Sequence, residues 1–255
     1  MVTAARLSPD RRRVATAAWC GQLGVWSIDT GDCLMKITSR QNDKAHGTHF
    51  TVDGRWALCQ TFDSMRLWDL DRGQCVRTIS CGAGISAVSL SPDARRAVAG
   101  ALDHTVRVWD MSTGECLHTI AGHTDRIGAV SVSPDGAFAV SIDDQKTIRL
   151  WDIASGRCVQ VISDLPERPW SVRFLCDGRF VMTGGAKGSI QIWDPRTGRC
   201  LHTFDSGTSE ITIAPTPDGR FALSHGGDVP LRLWEFHWDL GTPPPGAGTS
   251  PAAAI

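Results

Sequence analysis

No charge of either sign is in surplus in this chain. Lys+Arg 26 against Asp+Glu 27 leaves a formal net charge of -1 over 255 residues. A general nucleic-acid binder carries a basic excess, so that class of partner is set aside. No apolar run reaches roughly 18 residues, so nothing reads as a membrane span and no membrane partner is expected. The N-terminal string MVTAARLSPDRRRVA lacks the apolar stretch of a signal peptide. Lysine is scarce, 4 residues beside 22 arginines, a skew that a GC-rich genome explains without any functional choice. No stretch ahead of the C-terminal tail shows a helical period. Hydrophobic residues at 42% and charged residues at 21% describe an ordinary soluble composition, long enough to bury a sizeable core.

What the chain does have is repetition. Trp26, Trp68, Trp109, Trp151, Trp193 and Trp234 stand 42, 41, 42, 42 and 41 residues apart, in the strings GVWS, RLWD, RVWD, RLWD, QIWD and RLWE. A second series keeps the same phase: SPDRR, TVDGR, SPDAR, SPDGA, LCDGR and TPDGR. A third, DTGDC, DRGQC, STGEC, ASGRC and RTGRC, follows each of the first five tryptophans. Three signals locked to one period identify a stacked or radial repeat. Inside one unit the period is two. In residues 127–162, IGAVSVS, AFAVSI, TIRLWDI and CVQVIS read as four short strands separated by SPDG, DDQK and ASGR turns. Four antiparallel strands repeated radially make a β-propeller blade, so the expected fold class is an all-β propeller of six such blades.

These strings resemble the WD40 repeat family over about residues 1–238, most closely in residues 122–162, GHTDRIGAVSVSPDGAFAVSIDDQKTIRLWDIASGRCVQVI. The Arg- and Ala-rich wording is similar to the bacterial branch, whose domains are often parts of larger signalling or NTP-hydrolysing proteins. Residues 239–255, rich in Pro, Gly and Ala, read as a disordered tail. Counting strands from Val2–Leu7 to Leu231–Phe236 gives five complete blades and one of three strands. Either a six-bladed ring closes with one thin blade, or the chain is a piece of a longer propeller.

The resemblance implies structural residues. The six tryptophans belong on the third strands. The family's turn aspartate survives as Asp63, Asp103 and Asp228, is replaced by Cys20 and Lys187, and is shifted to Asp143–Asp144 in the fourth unit. The GH pair survives only as Gly122–His123. The family's His–Ser–Asp–Trp hydrogen-bond chain is therefore expected complete in no unit, and nearly complete only around His123, Ser141 and Trp151. Units one and five are expected to be less rigid at that face.

Chemistry-bearing candidates give way to structural readings. Cys33, Cys75, Cys116, Cys158 and Cys200 hold one place in five different units, too far apart for disulfides or a shared metal, and read as small, partly buried hydrophobes. Nine thiols without a staple framework point to a reducing compartment, the cytoplasm. His123, Ser141 and Asp143 invite a triad reading, but their registers match the structural positions. His46 and His49 lie on opposite faces of a strand, which disfavours a metal. The run Gly184–Ser189 lacks the order of a phosphate loop. The clusters Arg11–Arg13 and Arg95–Arg96 read as solvated surface. No cofactor or metal is expected.

The positions where the resembling family meets partners, carried over, are Lys44, His46, Arg126, Arg168 and Trp170, with Trp19, Phe62, Leu102 and Asp144 before the turns. Trp and Arg are the types most enriched at binding hot spots. The expectation is a non-enzymatic protein–protein interaction scaffold for a protein or peptide partner, with an acidic or mixed surface as ligand. The alternatives are a regulatory fragment of a larger bacterial signalling enzyme, such as a serine/threonine kinase or ATPase, and a propeller hydrolase or lyase.

Overall fold

A computed structural model describes residues 2–7, 12–18, 22–38, 47–51, 55–82, 84–175, 178–216, 220–226 and 231–236. Trp19, Lys44, His46 and Asp228, and the expected tail at 239–255, lie outside these residues. The chain divides into two compact units, Met1–Gly122 and His123–Ile255.

The first unit holds three four-stranded antiparallel sheets, each a meander in chain order. Sheet 1 is β1 (Val2–Leu7), β2 (Arg13–Ala18), β3 (Gln22–Ser27) and β4 (Cys33–Thr38). Sheet 2 is β5 (Gly47–Phe50), β6 (Trp56–Gln60), β7 (Ser64–Asp69) and β8 (Gln74–Ser80). Sheet 3 is β9 (Ile85–Leu90), β10 (Arg96–Ala101), β11 (Val106–Asp110) and β12 (Cys116–Ile120). In the second unit, sheet 4 is β13 (Ile127–Val132), β14 (Phe138–Asp143), β15 (Ile148–Asp152) and β16 (Arg157–Ile162). Sheet 5 is β17 (Pro169–Phe174), β18 (Val181–Gly185), β19 (Ser189–Asp194) and β20 (Arg199–Asp205). Sheet 6 has three strands, β21 (Thr212–Pro215), β22 (Phe221–His225) and β23 (Arg232–Glu235).

The repeated strings are turn chemistry. In SPDG, the Ser133 hydroxyl donates to Asp135 and accepts the Phe138 N–H, while Asp135 also takes the Ala137 N–H. These bonds satisfy backbone donors that the hairpin leaves unpaired. Gly136 sits at φ 72, in the left-handed region. The same place in sheet 3 is Ala94 at φ 58, a conformation that costs a residue with a Cβ. The aspartate after four of the six tryptophans caps the third turn: Asp69 accepts from the N–H of Asp71 and Arg72, Asp110 from Ser112 and Thr113, Asp152 from Ser155, Asp194 from Arg196 and Thr197. That is why W is followed by D on this period.

A β-bulge opposite each of the first five tryptophans aligns it with a cysteine: Trp26 with Cys33, Trp68 with Cys75, Trp109 with Cys116, Trp151 with Cys158 and Trp193 with Cys200. All five cysteines are exposed with free thiols, which corrects the reading of them as partly buried hydrophobes. The bulge turns each Sγ onto the carbonyl two residues ahead, from 3.3 Å at His118 to 3.5 Å at Gln160 and His202. Arg96 is likewise more than solvated surface, since its guanidinium is ion-paired with Asp110.

Candidate functional site

At one end of the sheets, the lead-in to each first strand meets the turn between the second and third. The carbonyl of the lead-in residue accepts an N–H from that turn: Leu102 to Gly84 at 2.7 Å, Asp144 to Arg126 at 3.1 Å and Ala186 to Arg168 at 2.9 Å. This bond fixes which side chains stand on the rim.

In the first unit the rim is apolar. Phe62 and Leu102, 57% and 41% exposed, flank Gly84. A Cβ added at Gly84 would lie 2.7 Å from the Phe62 ring and 2.8 Å from Leu102. The Ile85 N–H donates to the Phe62 carbonyl at 2.8 Å, tying sheet 2 to sheet 3 at this point. In the second unit the same step between neighbouring sheets carries charge. Arg168 makes an ion pair with Asp144, Nη2 to Oδ1 2.8 Å and Nε to Oδ1 3.0 Å. The Arg168 guanidinium also lies 5.3 Å from the Trp170 ring centroid, and that indole is 37% exposed. Arg126 is exposed beside Asp144. Four of the residues carried over from the resemblance, Arg126, Asp144, Arg168 and Trp170, therefore stand together, and Phe62 and Leu102 form a separate pair around Gly84.

Beneath the rim of sheet 4 runs a buried polar chain. Asp143 Oδ2 is 2.7 Å from His123 Nδ1, and His123 Nε2 is 2.5 Å from Ser141 Oγ. Ser141 Oγ in turn accepts the Trp151 Nε1–H at 2.7 Å, and the Thr147 N–H donates to Asp143 at 2.9 Å. The expectation that no unit completes this chain is thus corrected: Asp143, at the end of the second strand, closes it. The arrangement has the connectivity of a catalytic triad, yet Ser141 is 0% exposed and its oxygen is engaged on two sides. No substrate reaches it.

The tryptophan–hydroxyl bond recurs as Trp26 to Thr16 at 2.9 Å, Trp193 to Thr183 at 3.0 Å and Trp234 to Ser224 at 2.8 Å. Sheets 2 and 3 carry Cys59 and Ala99 at that place, across from Arg66 and Arg107. Where sheet 4 has His123, sheet 3 has Cys81, whose thiol burial pushes up to about 12 against the opposing pull of Arg107. A thiol held protonated is no nucleophile.

One residue escaped the sequence reading. Glu167 is buried and accepts the N–H groups of Lys187 and Ser189, at 3.0 Å for the latter. It supplies the turn acceptor that Lys187 itself cannot. The signal was available: an acidic residue in the lead-in of the very unit whose turn lacks aspartate.

Among the described residues no group of three or more His, Cys, Asp or Glu is placed to hold a metal ion. A family model described as WD domain, G-beta repeat, matches residues 73–110, 114–152 and 156–194. Over those residues, just under half of its length, the chain carries WD40 repeats. Autophagy-related protein 16 of Arabidopsis thaliana is 28% identical over 119 residues, which covers 46% of this chain and 23% of that protein. WD40-repeat proteins are in general non-catalytic scaffolds, in keeping with a buried Ser141 and a protonated Cys81.

Proposed function

We propose that the chain is a protein-interaction module whose sheets are blades of a six-bladed propeller and whose rim takes a protein or peptide partner. The observation that carries this is the Arg126–Asp144–Arg168–Trp170 cluster. A solvent-facing indole beneath a guanidinium offers apolar area and a directed charge in one place, the combination that dominates binding hot spots. The Asp144 carboxylate holds Arg168 in position until a partner's acidic group competes for it, so an acidic or mixed peptide surface suits the site. Within the first unit, Phe62 and Leu102 offer a separate apolar contact at Gly84. Trp19, Lys44 and His46 belong to this proposal from the sequence alone. Localisation in the cytoplasm is proposed with it.

The test is capture of partners from a cell extract by the wild-type chain and by the Trp170→Ala/Arg168→Ala double variant, followed by calorimetry on the partner recovered. The variant should keep its melting temperature and lose at least about 2 kcal/mol of affinity, the usual hot-spot threshold. Retained affinity with lowered stability would show that the pair packs rather than binds.

A further inference from the structure

In the first unit, backbone bonds tie the turn between the second and third strands of sheet 2 to sheet 3. The Ile85 N–H donates to the Phe62 carbonyl and the Cys81 N–H to the Asp63 carbonyl, each at 2.8 Å. Gln60 Nε2 donates to the Ile85 carbonyl at 2.9 Å, and the Leu102 N–H to the Gly84 carbonyl at 2.7 Å. The main chain around Phe62, Asp63, Gly84 and Leu102 is therefore fixed, and the side chains it presents stand on a rigid base.

The corresponding turns of the two sheets treat their aspartates differently. In sheet 3 the turn runs from Ala101, the end of β10, to Val106, the start of β11. Its Asp103 accepts the Thr105 N–H at 3.1 Å and the Thr105 hydroxyl at 2.6 Å, and it pairs with Arg107 at 2.5 Å. In sheet 2 the turn is one residue shorter, from Gln60 at the end of β6 to Ser64 at the start of β7. Arg66 therefore stands one residue closer to Asp63 in sequence than Arg107 does to Asp103, and it forms no pair with it. Asp63 is exposed and accepts from the Thr61 hydroxyl at 3.2 Å. Among the described residues no cation neutralises it. Beside this free carboxylate lies exposed carbon. Phe62 and Leu102 reach over the same point above Gly84, and both face solvent.

We propose that this place takes a basic–apolar segment of a partner protein: an aliphatic or aromatic side chain rests on Phe62 and Leu102, and an adjoining lysine or arginine pairs with Asp63. The proposal rests on the reading that the rim takes a protein or peptide partner. It adds the chemistry of a second contact, opposite in sign to the one that Arg126, Arg168 and Trp170 offer. Charge complementarity selects the occupant. An acidic segment would bring like charge against Asp63. A purely apolar segment would strip water from the carboxylate and give it no partner in return. A cation next to an apolar group answers both surfaces at once. Asp103 does not compete for that cation, because Arg107 already neutralises it.

An array of synthetic peptides tests this with the 255-residue chain. Each peptide carries one leucine or phenylalanine next to a varied residue, Lys, Arg, Gln or Glu, in a Gly–Ser background. The wild type should retain the Lys and Arg peptides about five-fold better than the Glu peptides, the scale of an exposed ion pair gained against a like charge met. Asp63→Asn should erase the preference, and Asp63→Lys should reverse it. Phe62→Ala, at an exposed position, should keep the wild-type melting temperature and weaken retention of the basic peptides. Asp103→Asn should leave the preference in place. The Trp170→Ala/Arg168→Ala double variant should keep it as well, because its substitutions touch only the second unit. An Asp63→Lys variant with the wild-type preference overturns the proposal, as does a Phe62→Ala variant that retains the basic peptides like wild type. A wild type that retains the Glu peptides best, and loses them in the double variant, overturns it while leaving the proposed function standing. A wild type that retains no peptide of either charge counts against both.

Discussion

Sheets 3 and 4 share their strand order and their bulges before the tryptophan, yet they fill the same interior positions with opposite chemistry. Sheet 4 stacks His123, Ser141, Asp143 and Trp151 into one hydrogen-bonded chain. Sheet 3 puts Cys81, Ala99, Ala101 and Trp109 in the matching places, all nearly inaccessible. In sheet 3 the bracing moves outward to Arg107, which donates to the Cys81 carbonyl at 2.6 Å and pairs with Asp103 at 2.5 Å. The comparison teaches that the polar chain is one way to lock a sheet and not a requirement of the fold. A buried network is stable only when every member is satisfied, so the two solutions differ most in how they fail. Sheet 4 loses several bonds at once, while sheet 3 loses only packing.

The largest expected effect breaks the network at its end. Asp143→Ala leaves His123 Nδ1 and the Thr147 N–H without their acceptor, and should cost about 3 kcal/mol in urea melts. His123→Ala should cost about 1–3 kcal/mol, and Cys81→Ala, which removes only a buried thiol, about 1 kcal/mol or less. Equal costs for the last two would show that the network adds nothing to sheet 4. A smaller change sharpens the comparison from the other side. Ala94→Gly should stabilise by about 0.5–1 kcal/mol, because it relieves a left-handed alanine where sheet 4 already has Gly136.

The smallest effect is one that both sheets share. Hydrogen bonds from the Ser133 hydroxyl and the Ala137 N–H hold Asp135 below the usual carboxylate range. Partial burial raises Asp93, but the Ser91 hydroxyl and Arg95 N–H lower it more. A carboxyl depressed in the folded state stabilises above its unfolded pKa of about 4, and the gain fades as pH falls through the lower folded value. Stability should therefore decline below about pH 4, and Asp93→Asn or Asp135→Asn should each flatten that decline by less than about 1 kcal/mol. Thermal melts between pH 2.5 and 6, roughly the range that brackets carboxylate titration, measure it.

Much of the site was legible in the sequence, and for identifiable reasons. The turn strings announce backbone hydrogen bonds that are local, so SPDG and WD could be placed without knowing any neighbour. Phe62, Leu102 and Trp170 came from the resemblance to the WD40 family, and all three are exposed in the structure. The Asp143 closure was half legible: the turn aspartate reads as shifted to Asp143–Asp144, and the reach of the His123 ring selects Asp143. The exposure of the serial cysteines was missed because a bulge has no signature of its own in an alternating pattern. Glu167 was missed because its partners, Lys187 and Ser189, lie about half a repeat away.

By itself the sequence determined the repeat, the strand order within each unit, the turn chemistry and the absence of a helical period, all properties of residues within one 41–42-residue period. Tertiary structure alone decided which equivalent residues are covered. Trp26 and Trp151 stand at the same place in the repeat, yet one is 40% exposed and the other 1%. Leu223 and Val140 divide in the same way. Burial depends on what a neighbouring sheet brings across the gap, and a residue's own string carries no record of its neighbour.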